Sequence, residues 1–346
     1  MEKLNSLFLM VHRFLMVFLT EEKKCSPNTV RSYRKALELL FDYVKEQRGV
    51  SLGKVTFDMI DRELMADFLN YLEQNRGCST VTRNHRLECI RAFYKYAAQE
   101  DIALVTYYDE IQKVKVAKVP ETIVEHMSTN AIQSILSQPD TSTDRGKRDA
   151  FLMLFLYKTG ARVQELVDVR ICDIQLSDTP RVLLHGKGAK SRAIPLRDDV
   201  VQHLKKYLAL FHESESQYSD QYLFYSVRNQ KKKRMTEQNV RSIVSKYGSI
   251  ARETNKEVPE QVHPHLFRHS WAMFLYQNGV DLTLISQWLG HAQFKTTLIY
   301  AHADTEIKRK ALEKAVPEDS PLKPYLDSER FQTSDEELLK QLVGLR

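Results

Sequence analysis

Five short stretches of the chain hold side chains able to act on an anion. TGARVQEL carries Arg162 just past a helix-ending glycine, and HGKGAKSR carries Lys187 at a Gly-rich turn. HPHLFRHSWA holds His265 and Arg268 three apart, on one face of a helix. QWLGH brings His291 just past a glycine, and TTLIYAH places Tyr300 in a short helix expected to be capped by Thr296 or Thr297. Guanidinium groups fork onto paired oxygens, imidazole and ammonium groups exchange protons, and a tyrosine hydroxyl becomes a nucleophile once its proton is taken. Each residue also has an ordinary reading. Arg162 could form a surface ion pair, Lys187 could be a solvated turn residue, and Tyr300 is one of 16 tyrosines, most of which pack. His265 and His269, with His263 nearby, imitate zinc-ligand spacing. No carboxylate or cysteine completes that set, so no metal is expected.

The elements that must carry these residues read as mostly helical. Ser26 and Pro27 start a helix, whose stripe is Val30, Tyr33, Leu37, Leu40 and Val44. A second helix runs from about Ser79, with Val81, Ile90, Phe93, Tyr94 and Ala97 as core. Its other faces carry Asn84, Arg91, Lys95, Arg83 and Arg86, the last two taken as candidate phosphate contacts. The segment QKVKVAKVPET, with alternating Lys and Val and then a proline, reads as an extended linker. Beyond it Ser128, Thr129 and Asn130 offer caps, and FLMLFLYKTG reads as a buried helix closed by Gly160. RVLLHG, KGAK and SRAIPL form one β-hairpin, and helical patterns resume through Val200–Leu210, Glu237–Tyr247, Leu266–Asn278 and Leu282–Leu289. The expected division is 1–111 for an N-terminal helical domain, 112–122 for a linker, 123–303 for a mixed, mostly α domain with a small antiparallel sheet, and 304–346 for a tail.

Charge distribution agrees with that division. Residues 1–111 balance at 16 Lys+Arg against 16 Asp+Glu, whereas 112–303 carry 27 against 19. The surplus lies with the candidate chemistry, and an anionic partner is permitted there. Lys190, Arg192 and the run Lys231, Lys232, Lys233 and Arg234 are candidate backbone contacts for such a partner. Cys25, Cys78, Cys89 and Cys172 stand far apart, which argues against a disulfide framework or a thiolate zinc site. His12 and Arg13 interrupt the apolar stretch Leu4–Leu19, leaving it short of the roughly 18 unbroken residues a membrane span needs. No membrane association and a cytoplasmic location are expected.

Taken together, Arg162, Lys187, His265, Arg268, His291 and Tyr300 resemble, in order, the tyrosine recombinase (integrase) family. That family includes Xer-type recombinases and the integrases of phages and mobile elements. The resemblance covers most of the chain, and the spacing from His291 to Tyr300 with paired threonines between is similar to Xer-type enzymes. It implies a C-shaped clamp on duplex DNA, built from a helical core-binding domain and a catalytic domain. It also implies cleavage through a 3′-phosphotyrosine at Tyr300 with no cofactor, metal or ATP.

The physical logic fits those roles. Arg162 and Arg268 would hold the non-bridging oxygens more strongly as charge builds in the transition state, Arg162 aided by the adjacent helix N-terminus. His291 would add a third donor, His265 would accept the tyrosine proton or orient it, and Lys187 would protonate the departing 5′ oxygen. Glu165, one turn beyond Arg162, could orient a neighbour. Exchange joins two duplexes, so a homotetramer on two specific, inverted-repeat sites is expected, with C-terminal segments passed between subunits. The long tail points to a mobile element rather than to chromosome-dimer resolution. A type IB topoisomerase and a DNA-binding regulator without catalysis are the competing readings, with a metal-dependent nuclease a distant further one.

Overall fold

The computed structural model describes residues 6–119, 125–186, 190–291, 293–303, 309 and 336–345. Lys187 and most of the expected tail lie outside the described residues. The chain divides into two compact units, Met1–Glu121 and Thr122–Arg346.

The first unit is helical: α1 (Ser6–Arg13), a π-helical stretch Phe14–Glu22, α2 (Pro27–Arg48), α3 (Arg62–Gln74), α4 (Thr80–Glu100) and α5 (Val105–Gln112). Its helix ends are set by sequence. Ser26 Oγ accepts from Thr29 N–H and Ser79 Oγ from Thr82 N–H, while Gly49 closes α2 in the left-handed region at φ 61°. One core joins Leu7 and Phe14 to Leu37, Leu40, Phe68, Phe93 and Tyr94. Val81, expected inside, is 59% exposed. No described helix is long and apolar enough to cross a membrane.

The charged face of α4 does something other than expected. Arg83 is 8% exposed and donates to Lys115 O. Asn84 pairs with Ala117 through both its carbonyl and amide, at 3.1 and 2.8 Å. Arg91 reaches Gln112 O at 3.0 Å and also Val114 O. The alternating segment after α5 is therefore strapped onto α4, because extended backbone needs hydrogen-bond partners and these side chains supply them. Arg86 Nη1 meets Cys78 Sγ at 2.9 Å.

The second unit packs α6 (Thr129–Leu136), α7 (Asp144–Thr159), α8 (Val163–Asp168), α9 (Asp198–Phe211), α10 (Glu237–Thr254), α11 (Pro264–Gln277), α12 (Leu282–Leu289) and α13 (Lys295–Ala303). A three-stranded antiparallel sheet holds β1 (Ile174–Gln175), β2 (Arg181–His185) and β3 (Ser191–Pro195), with Val182 opposite Ile194 and Leu184 opposite Arg192. A second hairpin, β4 (Tyr225–Arg228) and β5 (Lys231–Arg234), goes beyond the one hairpin expected. The basic run hides it, since four consecutive cations carry no apolar alternation. Its turn is Asn229–Gln230, both with positive φ, at 52° and 60°; asparagine tolerates that region. The core runs from α6 and α7 through the sheet to α10 and α11. A last helix, α14 (Glu336–Leu342), leaves Leu342 and Val343 exposed.

Candidate active site

The site gathers where α7, α8, α11, α12 and α13 meet the β2–β3 hairpin. α7 ends at Gly160, held at φ 60°, and a side chain there would press on Leu289 and Trp271 at 3.1 and 3.2 Å. The chain then turns straight into α8, so Arg162 becomes its N-cap. Glu165, one turn on, accepts from the Arg162 backbone N–H at 2.8 Å and from its Nη1 at 2.8 Å.

Glu165 is the pivot of the frame. It is 3% exposed and also receives Arg192 in a two-pronged pair, Nη1 to Oε1 at 2.8 Å and Nη2 to Oε2 at 2.7 Å. Burial works to raise its pKa, but the hydrogen bonds from Arg192 and Arg162 outweigh burial and hold it at about 2. Arg192 Nε donates to Trp288 O at 2.7 Å. Arg192, expected on DNA, is thus a brace between β3, α8 and the end of α12. Lys190, two residues before it, is exposed.

Arg268 lies beneath the same corner, 3% exposed, donating to Gly160 O at 2.7 Å and Leu289 O at 2.5 Å. Arg162 Nη2 reaches Gly290 O at 3.0 Å. Two arginines therefore converge on the α12 C-terminus from α8 and α11, and a guanidinium carries five donors, more than these carbonyls use. Burial, then the neighbouring Arg162, pulls Arg268 down to about 9, still cationic at neutral pH. Among the described residues three guanidinium groups meet one carboxylate here, which leaves the corner short of negative charge, as a site for an anion requires.

Gly290 ends α12 at φ 64°, and His291 follows it. His291 Nδ1 shares a hydrogen bond with Thr297 Oγ1 at 2.8 Å. Burial, then Arg268, lowers the imidazole to about 4, so it is neutral. A Thr297 hydroxyl donating to Nδ1 leaves the ring proton on Nε2, the form that donates to an anion. Thr297 is thereby a partner inside α13 and not its cap; the helix begins at Lys295.

Tyr300 is fully buried on α13, packed with Met273, Ile285 and Leu289. Its hydroxyl stands 2.9 Å from His269 Nδ1. His265, the expected proton acceptor, lies one turn earlier on α11 and is exposed. The i, i+4 spacing that in sequence imitates zinc ligation puts both histidines on one face of α11, and α13 brings the tyrosine hydroxyl to the second of them. Among the described residues no group of three or more His, Cys, Asp or Glu side chains is arranged to hold a metal ion.

Lys187 lies outside the described residues; Gly186 and Lys190, on either side of that turn, are described. Gly186 N–H donates to Lys190 O at 2.7 Å, and a side chain at Gly186 would come 3.4 Å from Glu165 Oε1. The hairpin turn thus starts against the arginine corner.

Residues 125–306 match the phage integrase family, and residues 11–116 match its SAM-like domain. The chain belongs to the phage integrase family. Like its fellow tyrosine recombinases, it is an enzyme that cleaves and rejoins DNA strands. The integrase/recombinase y4rC of Sinorhizobium fredii is 30% identical, over 92% of this chain and 94% of that protein. Tyrosine recombinase XerD of Staphylococcus epidermidis is 29% identical, over 85% of this chain and 94% of that protein. Among solved structures, the XerH recombinase bound to palindromic difH substrate aligns with a TM-score of 0.64 at 22% identity, over 84% of this chain and 80% of that one. The Tn1549 transposon integrase bound to transposon right-end DNA aligns with a TM-score of 0.65 at 19% identity, over 89% of this chain and 98% of that one. These two likenesses speak to the integrase fold.

The basic run divides by face. Lys232, though exposed, is committed to this unit, with Nζ over the Tyr225 ring at 4.8 Å and bonded to Phe211 O at 3.2 Å, and Arg234 pairs with Asp168. Lys231 and Lys233 alternate to the opposite face and are exposed.

Proposed function

We propose that this recombinase acts at specific, inverted-repeat sites on duplex DNA and attacks the scissile phosphate with Tyr300. The product is a 3′-phosphotyrosine and a free 5′ hydroxyl. The observation that carries the reading is the buried Tyr300 hydroxyl within electrostatic reach of Arg268, in an arginine corner whose carboxylate, Glu165, is already engaged by Arg192 and Arg162. Arg162 and Arg268 grip the non-bridging oxygens, His291 adds a donor, and exposed His265 faces the substrate from the same turn as Arg268. The corner's gain in the transition state is electrostatic, because guanidinium donors already fixed in place need no reorganisation as charge builds. Lys187 protonates the leaving 5′ oxygen from the hairpin turn. One ester replaces another, so the step needs no ATP.

Four protomers join two sites, and the C-terminal segment contacts a neighbour; exposed Leu342 and Val343 are suited to that contact. The mobilised DNA is a mobile element. Incubating the protein with EDTA and paired duplexes from its genomic neighbourhood tests this reading. Recombinant joints between two duplexes carrying inverted repeats are expected. Relaxation of plasmid lacking any such site, without joints, would point to a topoisomerase instead, and site binding with neither product would point to a regulator.

A further inference from the structure

We infer that His269 is the general base of the reaction: its Nδ1 holds the Tyr300 hydroxyl before attack and takes the proton as the tyrosyl–phosphate bond forms. The inference rests on the recombinase reading above and assigns within it a role to a residue outside the expected catalytic set.

Geometry comes first. The Tyr300 hydroxyl is 2.9 Å from His269 Nδ1, within the reach a general base needs in the ground state. Tyr300 is 0% exposed, so bulk water is not at hand to receive the proton. The protein group already in place to accept it is His269 Nδ1. His269 is half-buried on α11, one turn beyond exposed His265, and its ring lies against the tyrosine ring at 5.9 Å between centroids.

Electrostatics then explain why the hydroxyl rests protonated. Burial pushes Tyr300 up to about 12, only partly offset by Arg268. Burial, followed by His265, Arg268, His263 and His126, lowers His269 to about 4. Free protein therefore holds a neutral phenol donating to a neutral imidazole. A phosphate seated on Arg162 and Arg268 brings negative charge beside the cations that depress His269. Opposite charge nearby favours the imidazolium, so substrate binding itself strengthens the base. In the step, the Tyr300 Oη–P bond forms and the P–O5′ bond breaks. The phenolic proton passes to His269 Nδ1, and the departing O5′ takes a proton from Lys187. Religation runs both transfers backward.

The test uses full-length protein and the nicked duplex on which the wild type forms its covalent adduct. His269→Asn places an amide oxygen near the position of Nδ1, keeping an acceptor without a usable base; His269→Ala removes both. Single-turnover cleavage is expected to fall by at least about 100-fold in both variants, with duplex binding unchanged. In His269→Asn, replacing Tyr300 by 3-fluorotyrosine, a more acidic phenol, is expected to recover part of the rate. Cleavage by His269→Asn at the wild-type rate, faster cleavage by His269→Ala, or no gain from fluorotyrosine overturns the assignment while leaving the recombinase reading intact. A wild type that forms no adduct at all overturns both.

Discussion

Arg192 grips both oxygens of Glu165, at 2.8 and 2.7 Å, and so ties the β-hairpin to the helix that presents Arg162. This ion pair is buried on the carboxylate side, and removing one member strands the other.

Replacing Glu165 by Gln is expected to destabilise the catalytic unit by about 3 kcal/mol at neutral pH, the scale for breaking a buried pair. The pH dependence has a definite sign. Glu165 in the folded protein sits at about 2 against an ordinary 4.5, so its contribution is complete above the ordinary value and is lost as pH falls toward 2. Urea unfolding of wild type and Glu165→Gln should therefore differ most at pH 7 and converge in acid. A constant difference across that window would contradict the assignment.

Arg192→Lys separates a brace from a DNA contact. A lysine cannot make the two-pronged bond, so cleavage and thermal stability should both drop. In Arg192→Ala, which removes the charge, the salt dependence of duplex binding should still stay as in wild type, because a guanidinium committed to Glu165 and Trp288 O neutralises no phosphate. A shallower slope of log K against log salt would instead return Arg192 to the DNA surface.

Gly290 carries the strain test. A Cβ there would stand 3.0 Å from Arg192 Nη1 and 3.1 Å from its Cδ, on a backbone at φ 64°. Gly290→Ala should cost about 1–2 kcal/mol for the left-handed backbone alone, and should slow cleavage further by shifting Arg192. Thermal melts and single-turnover cleavage measure the two parts. An alanine variant with wild-type cleavage would show that the brace is not needed for chemistry.

The second hairpin offers a face-by-face comparison. Lys231→Ala with Lys233→Ala should reduce the salt slope of duplex binding by nearly two, because each cation removed from a phosphate lowers it by about 0.9. Lys232→Ala should leave that slope alone and loosen the hairpin, because its ammonium is committed to Phe211 O and the Tyr225 ring. Equal slopes in all variants would remove this hairpin from the DNA interface.

How much of this is legible in the sequence depends on the kind of signal. Caps and glycine stops are readable because they act locally: Ser26, Ser79, Ser128 and Gly160 each do what their type and position require. The order of Arg162, Lys187, His265, Arg268, His291 and Tyr300 is enough to point to the family. Partnership across the fold is not readable. Arg83 and Arg192 look like surface cations in sequence, yet one straps the segment after α5 and the other braces Glu165, because burial and carbonyl neighbours are set by tertiary packing. His269 is visible only as a histidine one turn from His265. Its role depends on where α13 brings the tyrosine, which no local spacing encodes. The β4–β5 hairpin stays hidden because its second strand is all cationic.

Tyr300 is the proposed nucleophile, and trapping its adduct tests that role directly. Nicked suicide duplexes from the genomic neighbourhood, incubated with full-length protein in EDTA, would be resolved on a denaturing gel and the adduct mapped by mass spectrometry. The expected result is a DNA strand joined through its 3′ phosphate to Tyr300, absent from Tyr300→Phe although that variant still binds the duplex. An adduct on another residue, or one that persists in Tyr300→Phe, would contradict the account.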